Sequence, residues 1–334
     1  MDNKTLLLNN KQIDELITLK DVLDAVDQTY VGMGEGTVIN PTKVTLDLRG
    51  EVPNKPGFLN AMPAYVDWVK MGGMKWAGGW LNRADVGLPF ITSMMFLIEP
   101  EYGCFKAVMD GEHITTLRTG AQAVVSTKYF RKGLGNDLTI GLFGCGAQGH
   151  MQTREFAEMF NVTELRVYDI YKEAALKFKE EMKDVVQGEI VVCDSPEEVA
   201  ETQPNILVSF THGDNKFITD EMIHPGQIVF PMGSFREVAN EAILNADKVI
   251  VDHPAQCLHR GALSEVGTTG QLTEEDLFAT IGEVAAGKKE VGDISGQRIV
   301  CVPIGTGAMD VAVAAIAYKR AVEQGIGGEF VFNL

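Results

Sequence analysis

LTIGLFGCGAQGH, residues 138–150, decides how the middle of this chain folds. A β-rich apolar run ends in Gly144, Gly146 and Gly149, a G-x-G-x-x-G spacing, and MQTREFAEMF (151–160) follows with apolar residues at helical intervals. ELRVYD (164–169) reads as a second strand ending in Asp169, twenty positions past Gly149. Each part has a physical task. Gly144 permits a tight turn, Gly146 lets the backbone approach a pyrophosphate, and Gly149 lets the helix pack close to the strand. The first helical N–H groups, around Ala147 and Gln148, face the phosphates. Asp169 is placed to accept hydrogen bonds from two ribose hydroxyls and to repel a 2′-phosphate. No arginine follows in DIYKEAA, so NAD is expected over NADP, with Lys172 the nearby cation that weakens the preference. The alternatives are a glycine-rich turn without ligand and another adenosine-carrying ligand, such as a flavin or S-adenosylmethionine.

Outward from this turn the alternation continues. KEAALKFKEEMKDV reads as a helix, GEIVVC as a strand, and SPEEVAE as a helix start with Ser195 as N-cap and Glu198 three residues on. NILVSF (205–210), QIVFPM (227–232) and KVIVDH (248–253) are further strands. Near-continuous apolar strands alternating with helices predict a parallel sheet covered on both faces. Upstream the pattern differs. A helix is expected after Thr18, a strand at KVTLDL (43–48), and two strands around Gly72-Gly73 in AYVDWVKMGGMKWAGGW (64–80). A hairpin is expected in residues 90–111, split by Pro-Glu-Tyr-Gly, and a helix over 113–130. The fold class is therefore α/β: a Rossmann-type doubly wound nucleotide domain over 131–307, plus a mainly β domain over 1–130. The last helix, 308–325, is expected to pack back on that first domain, which takes in 308–334.

Composition limits the function. The net charge is −17, with no basic run, which argues against nucleic acid and anionic membranes as partners. No apolar stretch reaches the roughly 20 residues of a membrane span, and the N-terminus does not read as a signal peptide. The five cysteines are scattered without a C-x-x-C pair, which argues against a disulfide framework or a zinc cluster and suits a reducing cytoplasm. His253 and His259 flank Cys257 in DHPAQCLHRG, but that spacing is no closed zinc set, and no metal is expected.

An anionic substrate must then be held by individually placed cations, and Lys43, Lys75 and Arg118 each lie near an element boundary or in an apolar segment. Lys75, in GGMKWAGGW, is costly to bury unless paired. Arg118, in TTLRTGA, heads the helix before the nucleotide domain among small residues that leave room for a ligand. His212 and Asp214 follow a strand at the ligand-binding edge of the sheet and stand against ligand or in solvent. PIGTGAMD (303–310) either closes over the nicotinamide or caps the last helix.

KVTLDL, NAMPAY, MKWAGGW, AVMDGEHITTLRTGA, GLFGCGAQGH and GAMDVAVAAIAY, in this order, resemble the ornithine cyclodeaminase/mu-crystallin family, which includes archaeal-type alanine dehydrogenases and ketimine reductases. The resemblance covers nearly the whole chain. It implies a homodimer whose mainly β domain supplies the substrate contacts and the interface. It implies that Lys43, Lys75 and Arg118 hold a substrate carboxylate, with Lys75 also a catalytic proton-transfer group. Two departures matter. Where cyclodeaminases carry an acid before Met-Pro, this chain has Asn60, a candidate substrate contact. Where many members carry an aspartate after the strand at 227–232, this chain reads Gly233-Ser234-Phe235, with Glu237 or Asp214 as substitutes. The expected function is an NAD-dependent oxidoreductase acting at the Cα–N bond of an amino acid or imine, an amino-acid dehydrogenase or imine reductase. The alternatives are a cyclodeaminase that recycles its NAD internally and a non-catalytic ligand-binding protein like mu-crystallin.

Overall fold

The computed structural model of the chain describes residues 4–49, 57–135 and 137–332. In chain order the first elements are β1 (Lys4–Leu8), α1 (Asn10–Leu16), α2 (Leu19–Glu35), β2 (Val38–Ile39), β3 (Val44–Asp47), β4 (Gly57–Val66), β5 (Met71–Trp80), β6 (Ile91–Ile98), β7 (Phe105–Asp110) and α3 (Glu112–Phe130). Thr18 caps α2 in a capping box with Asp21. The β4–β5 hairpin corrects one expectation. Its turn lies at Asp67–Val69 with Lys70 in the left-handed region (φ 52°), while Gly72 and Gly73 are inside β5.

The second block contains β8 (Asp137–Phe143), α4 (Ala147–Met159), β9 (Asn161–Tyr168), α5 (Lys172–Met182), β10 (Glu189–Val192), α6 (Pro196–Ala200), β11 (Ile206–Ser209), β12 (Gln227–Pro231) and α7 (Asn240–Leu244). It continues through β13 (Lys248–Val251), α8 (Pro254–Cys257), α9 (Ser264–Thr268), β14 (Ala279–Thr280), α10 (Ile281–Ala285) and β15 (Arg298–Val302). These strands form one parallel sheet in the order β10-β9-β8-β11-β12-β15-β13-β14. The chain leaves β8 toward β9 and β10, then returns to β11 on the other side, so the order reverses between β8 and β11. In doubly wound sheets ligands bind beyond the carboxyl ends of the strands at that reversal. Ser195 caps α6 through the Glu198 N–H, but the Glu198 carboxylate turns to the Asp194 N–H, so the reciprocal capping box expected there does not form.

The chain then closes with α11 (Gly307–Gln324) and β16 (Gly328–Val331). The other sheet runs β16-β1-β7-β6-β5-β4-β2, with β3 also paired to β4. α11 packs against α2 and across β4, β5 and β6. A Cβ on Gly73 would lie 2.5 Å from the Phe96 carbonyl of the neighbouring β6 and 3.0 Å from Val311 of α11. Glycine is required here for the close approach of strand β6 and helix α11, not for a turn.

The two compact units are Met1–Arg118 with Thr306–Leu334, and Thr119–Gly305. The division falls inside α3 rather than at its end, where the sequence placed it. The reason is that the C-terminal part of α3 is tied into the second unit. Gln152 of α4 donates to the Gly120 carbonyl (3.0 Å), and a Cβ on Gly120 would lie 2.0 Å from the Glu155 carboxyl. Glu155 is buried with neither oxygen hydrogen-bonded, and burial alone pushes its carboxyl well above the usual range.

Candidate active site

In the second unit, β8 delivers the chain to Gly144, whose φ of 103° favours glycine and whose N–H donates to the Tyr168 carbonyl. A Cβ on Gly149 would lie 2.3 Å from the Gly144 carbonyl, so only glycine lets α4 start this close to the strand. Gly146 differs from both: no atom lies within 4 Å of the position its Cβ would take. Its glycine leaves open space, a cradle over the start of α4, where the first N–H groups have no intrahelical acceptor. Asp169, just past β9, accepts from the Cys145 N–H (2.8 Å) and the Tyr171 N–H (2.9 Å), which fixes its carboxylate beside the turn. Lys172 is held by Asp194. Burial and the neighbouring Asp169 push the Cys145 thiol up to about 12, so this cysteine stays neutral. These residues fit a dinucleotide: pyrophosphate over Gly146 and the α4 N-terminus, adenine ribose at Asp169.

In the first unit, β5 carries Lys75 on the sheet face that α11 covers. Lys75 is 1% exposed, and its Nζ lies 2.8 Å from each carboxylate oxygen of Asp310, in the first turn of α11. Arg118 of α3 donates from Nε to the same carboxylate at 2.9 Å. Asp310 is itself fully buried. Lys43, half-buried before β3, lies near enough to act on Lys75 through its charge. Burial, then the Arg118 charge, pull Lys75 down to about 7; Asp310 opposes this, and Lys43 adds to it. One buried carboxylate thus holds both Lys75 and Arg118, with the Lys43 charge nearby. Met62 pairs with Lys75 across β4–β5, and Asn60, two residues before Met62, shares that face; its Oδ1 accepts from Thr45 Oγ1 at 2.7 Å.

Asp310 is the site residue that sequence reasoning missed. Its signal was available: an acid in GAMDVAVAAIAY, an otherwise apolar helix, is as costly to bury unpaired as Lys75. The two proposed substitute acids are both engaged. Glu237 is fully buried, accepting from Ser209 Oγ (2.8 Å), the Thr211 N–H (2.6 Å) and Thr211 Oγ1. Asp214 pairs with Arg236 at 3.0 Å. Phe235 stacks edge-on against His212, ring centroids 5.9 Å apart. Cys257 packs in the core, its Sγ 3.4 Å from Asp252. Among the described residues no three His, Cys, Asp or Glu side chains converge as metal ligands, and no helix is long and apolar enough to cross a membrane.

A sequence profile of the ornithine cyclodeaminase/mu-crystallin family matches residues 3–325. An alanine dehydrogenase from Archaeoglobus fulgidus is 30% identical over 332 residues, 98% of this chain and 99% of that protein. An archaeal alanine dehydrogenase dimer with bound NAD superposes with a TM-score of 0.89 at 30% identity, covering 99% of this chain and 100% of that one. The Thermococcus litoralis Δ1-pyrroline-2-carboxylate reductase, in complex with NADH and L-proline, superposes with a TM-score of 0.88 at 27% identity, covering 97% and 99%.

Proposed function

This chain belongs to the ornithine cyclodeaminase/mu-crystallin family, and from that premise we propose that it is an NAD-dependent oxidoreductase acting at the Cα–N bond of an amino acid or imino acid. The observation that carries this reading is the buried Lys75–Asp310–Arg118 cluster: a fully buried lysine brought to about 7, sharing one buried carboxylate with an arginine. The nicotinamide supplies a hydride acceptor or donor. Arg118 and Lys43 hold the substrate carboxylate, with Asn60 as a further contact. In the oxidative direction the amine loses a proton as its single bond to Cα becomes double, and Lys75 accepts it. In the reductive direction Lys75 returns a proton to the nitrogen. Asp310 orients Lys75 and Arg118. Gly144, Gly146, Ala147, Gln148, Gly149 and Asp169 hold the cofactor. The unit Thr119–Gly305 is thus the cofactor domain, and the other unit is the substrate and dimerisation domain.

A panel of amino acids with NAD, and of imines or 2-oxo acids with ammonia and NADH, read at the nicotinamide absorbance band, tests the reading. Net dehydrogenation accumulates NADH. A neutral amino acid or imine is expected as the best substrate, and ornithine should give little or no proline. Asn60 is uncharged and its Oδ1 is engaged with Thr45, so a side-chain ammonium beside it would lose its hydration without a counter-charge there. Efficient ammonia release from ornithine at catalytic NAD, without NADH accumulation, would instead make it a cyclodeaminase. NAD binding with no turnover across the panel would make it a ligand-binding protein.

The cofactor preference rests on Asp169, held beside the turn while Lys172 is engaged with Asp194. NAD(H) should bind more tightly than NADP(H). Asp169→Ser should weaken NADH by about tenfold, the loss of hydrogen bonds to a charged acceptor, and shrink the preference. Equal affinities of the unaltered protein for both cofactors would contradict this.

The chain acts as a homodimer. Val44, Ala61, Trp76 and Met94 lie opposite one another across β3, β4, β5 and β6 on the sheet face away from α11. Val44 is 70% and Trp76 45% exposed, and Leu46 extends the same apolar surface. A second copy is the natural cover for a contiguous face of this kind. Sedimentation should give a dimer, and Trp76→Glu should give a monomer; a monomeric unaltered protein would refute the assignment. Buried free thiols at Cys145, Cys193, Cys257 and Cys301 suit the reducing cytoplasm as its location.

A further inference from the structure

Glu237 is a fully buried acid that the proposed reaction does not use, and its three partners all lie on one segment. Ser209 is the last residue of β11, and Thr211 opens the loop beyond it. That loop runs along the reversal of strand order. Phe210 donates its N–H to the Phe143 carbonyl (2.8 Å), and a Cβ on Gly144 would lie 2.7 Å from the Phe210 carbonyl and 3.6 Å from Thr211 Cγ2. The glycine turn after β8 and the loop after β11 therefore lie side by side at the reversal of strand order, where a doubly wound sheet takes its ligand.

A second loop, 232–237 after β12, is bound to the first. Arg236 pairs with Asp214 and donates its N–H to the same carboxylate (2.8 Å). Lys216 donates its N–H to the Arg236 carbonyl, Ile218 its N–H to the Glu237 carbonyl, and the Phe235 ring meets His212 edge-on. Glu237 ends the second loop with its side chain buried, and a Cβ on Gly233 would lie 3.3 Å from its carboxylate. Its two carboxyl oxygens accept from three donors at one point, which locks Ser209 and Thr211 in place.

We infer that Glu237 is a positioning residue: it joins the loops after β11 and β12 into one wall of the cofactor crevice and holds His212 toward the nicotinamide half of the dinucleotide. This rests on the proposed NAD binding, with Asp169 marking the adenosine half. Asp169 lies on the β9 side of β8, and His212 on the β11 side, so an extended dinucleotide with its adenosine at Asp169 brings its other half to the His212 wall. Glu237 thus serves as a loop anchor rather than as the acid that the substrate pocket lacks.

The test compares NADH with ADP-ribose, which lacks the nicotinamide, by calorimetric titration well below the melting temperature. In Glu237→Ala and in His212→Ala, NADH affinity should fall by about tenfold or more, as expected when a contact is lost or displaced, while ADP-ribose stays within about twofold. Glu237→Gln, which keeps an acceptor for Thr211 and can donate to Ser209, should restore most of the NADH affinity. Equal weakening of both ligands, or a lowered melting temperature with NADH affinity unchanged, would overturn the inference. If Glu237→Ala does not fold, His212→Ala, altered on an exposed loop, decides it: unchanged NADH affinity overturns it. NADH binding by the unaltered protein tests the cofactor reading separately.

Discussion

Replacing Lys75 by Met should lower kcat for amino-acid oxidation by about a thousandfold, the usual scale for loss of a positioned acid–base group. Cofactor binding should persist, because the glycine turn and Asp169 belong to the other unit. The pH dependence makes the assignment specific. Burial and Arg118 bring Lys75 to about 7, against Asp310. Oxidation needs the neutral amine as base, so its rate should rise through pH of about 7 and then level. Imine reduction needs the ammonium as acid, so its rate should fall above the same pH. Both limbs should vanish in Lys75→Met; a variant that keeps the limb near pH 7 would place the proton on another group. Stability should follow the same titration. A lysine depressed in the folded state is protonated in both states below about pH 7, where the cost of burial is complete. Between there and its unfolded value the unfolded chain binds more protons, so this contribution makes the fold more stable as pH rises.

Arg118→Ala should weaken the binding of carboxylate substrates by about 2–5 kcal/mol, because the carboxylate would lose a charge-assisted partner in a buried site. NAD binding should change little. A second consequence follows from the Arg118 charge beside Lys75. Arg118 is the largest electrostatic contribution that lowers Lys75, so its removal should move the pH limb of turnover upward from about 7. Measuring KM for the substrate together with the pH profile separates the two effects. An unchanged KM in a folded variant would refute the carboxylate contact, and an unmoved limb would refute the electrostatic effect of Arg118 on Lys75.

Much of the candidate site was legible in the chain itself, because its cues are local. The strand–turn–helix at Gly144, Gly146 and Gly149 and the following strand to Asp169 depend on φ > 0, on missing Cβ atoms and on short-range periodicity, and all of these are written within about thirty consecutive residues. Lys75 and Arg118 stood out because a cation among apolar or small residues must be paired or functional. The capping of α2 by Thr18 and the Pro-Glu-Tyr-Gly hairpin between β6 and β7 follow from the same kind of local chemistry.

What only tertiary structure decided concerns partners far apart in the chain. Asp310 lies 235 positions from Lys75 and 192 from Arg118, so no spacing rule links them; packing of α11 on β5 does. Gly72 and Gly73 suggested a turn because a glycine pair marks either a reversal or a close approach, and a sequence does not distinguish them until the neighbouring strand and helix are known. The insertion of β15 between β12 and β13, and the spending of Glu237 on Ser209 and Thr211, were settled the same way. A residue's own chemistry says that it must be satisfied, but only the folded chain determines which distant group satisfies it, since that choice is made by burial and not by neighbours in sequence.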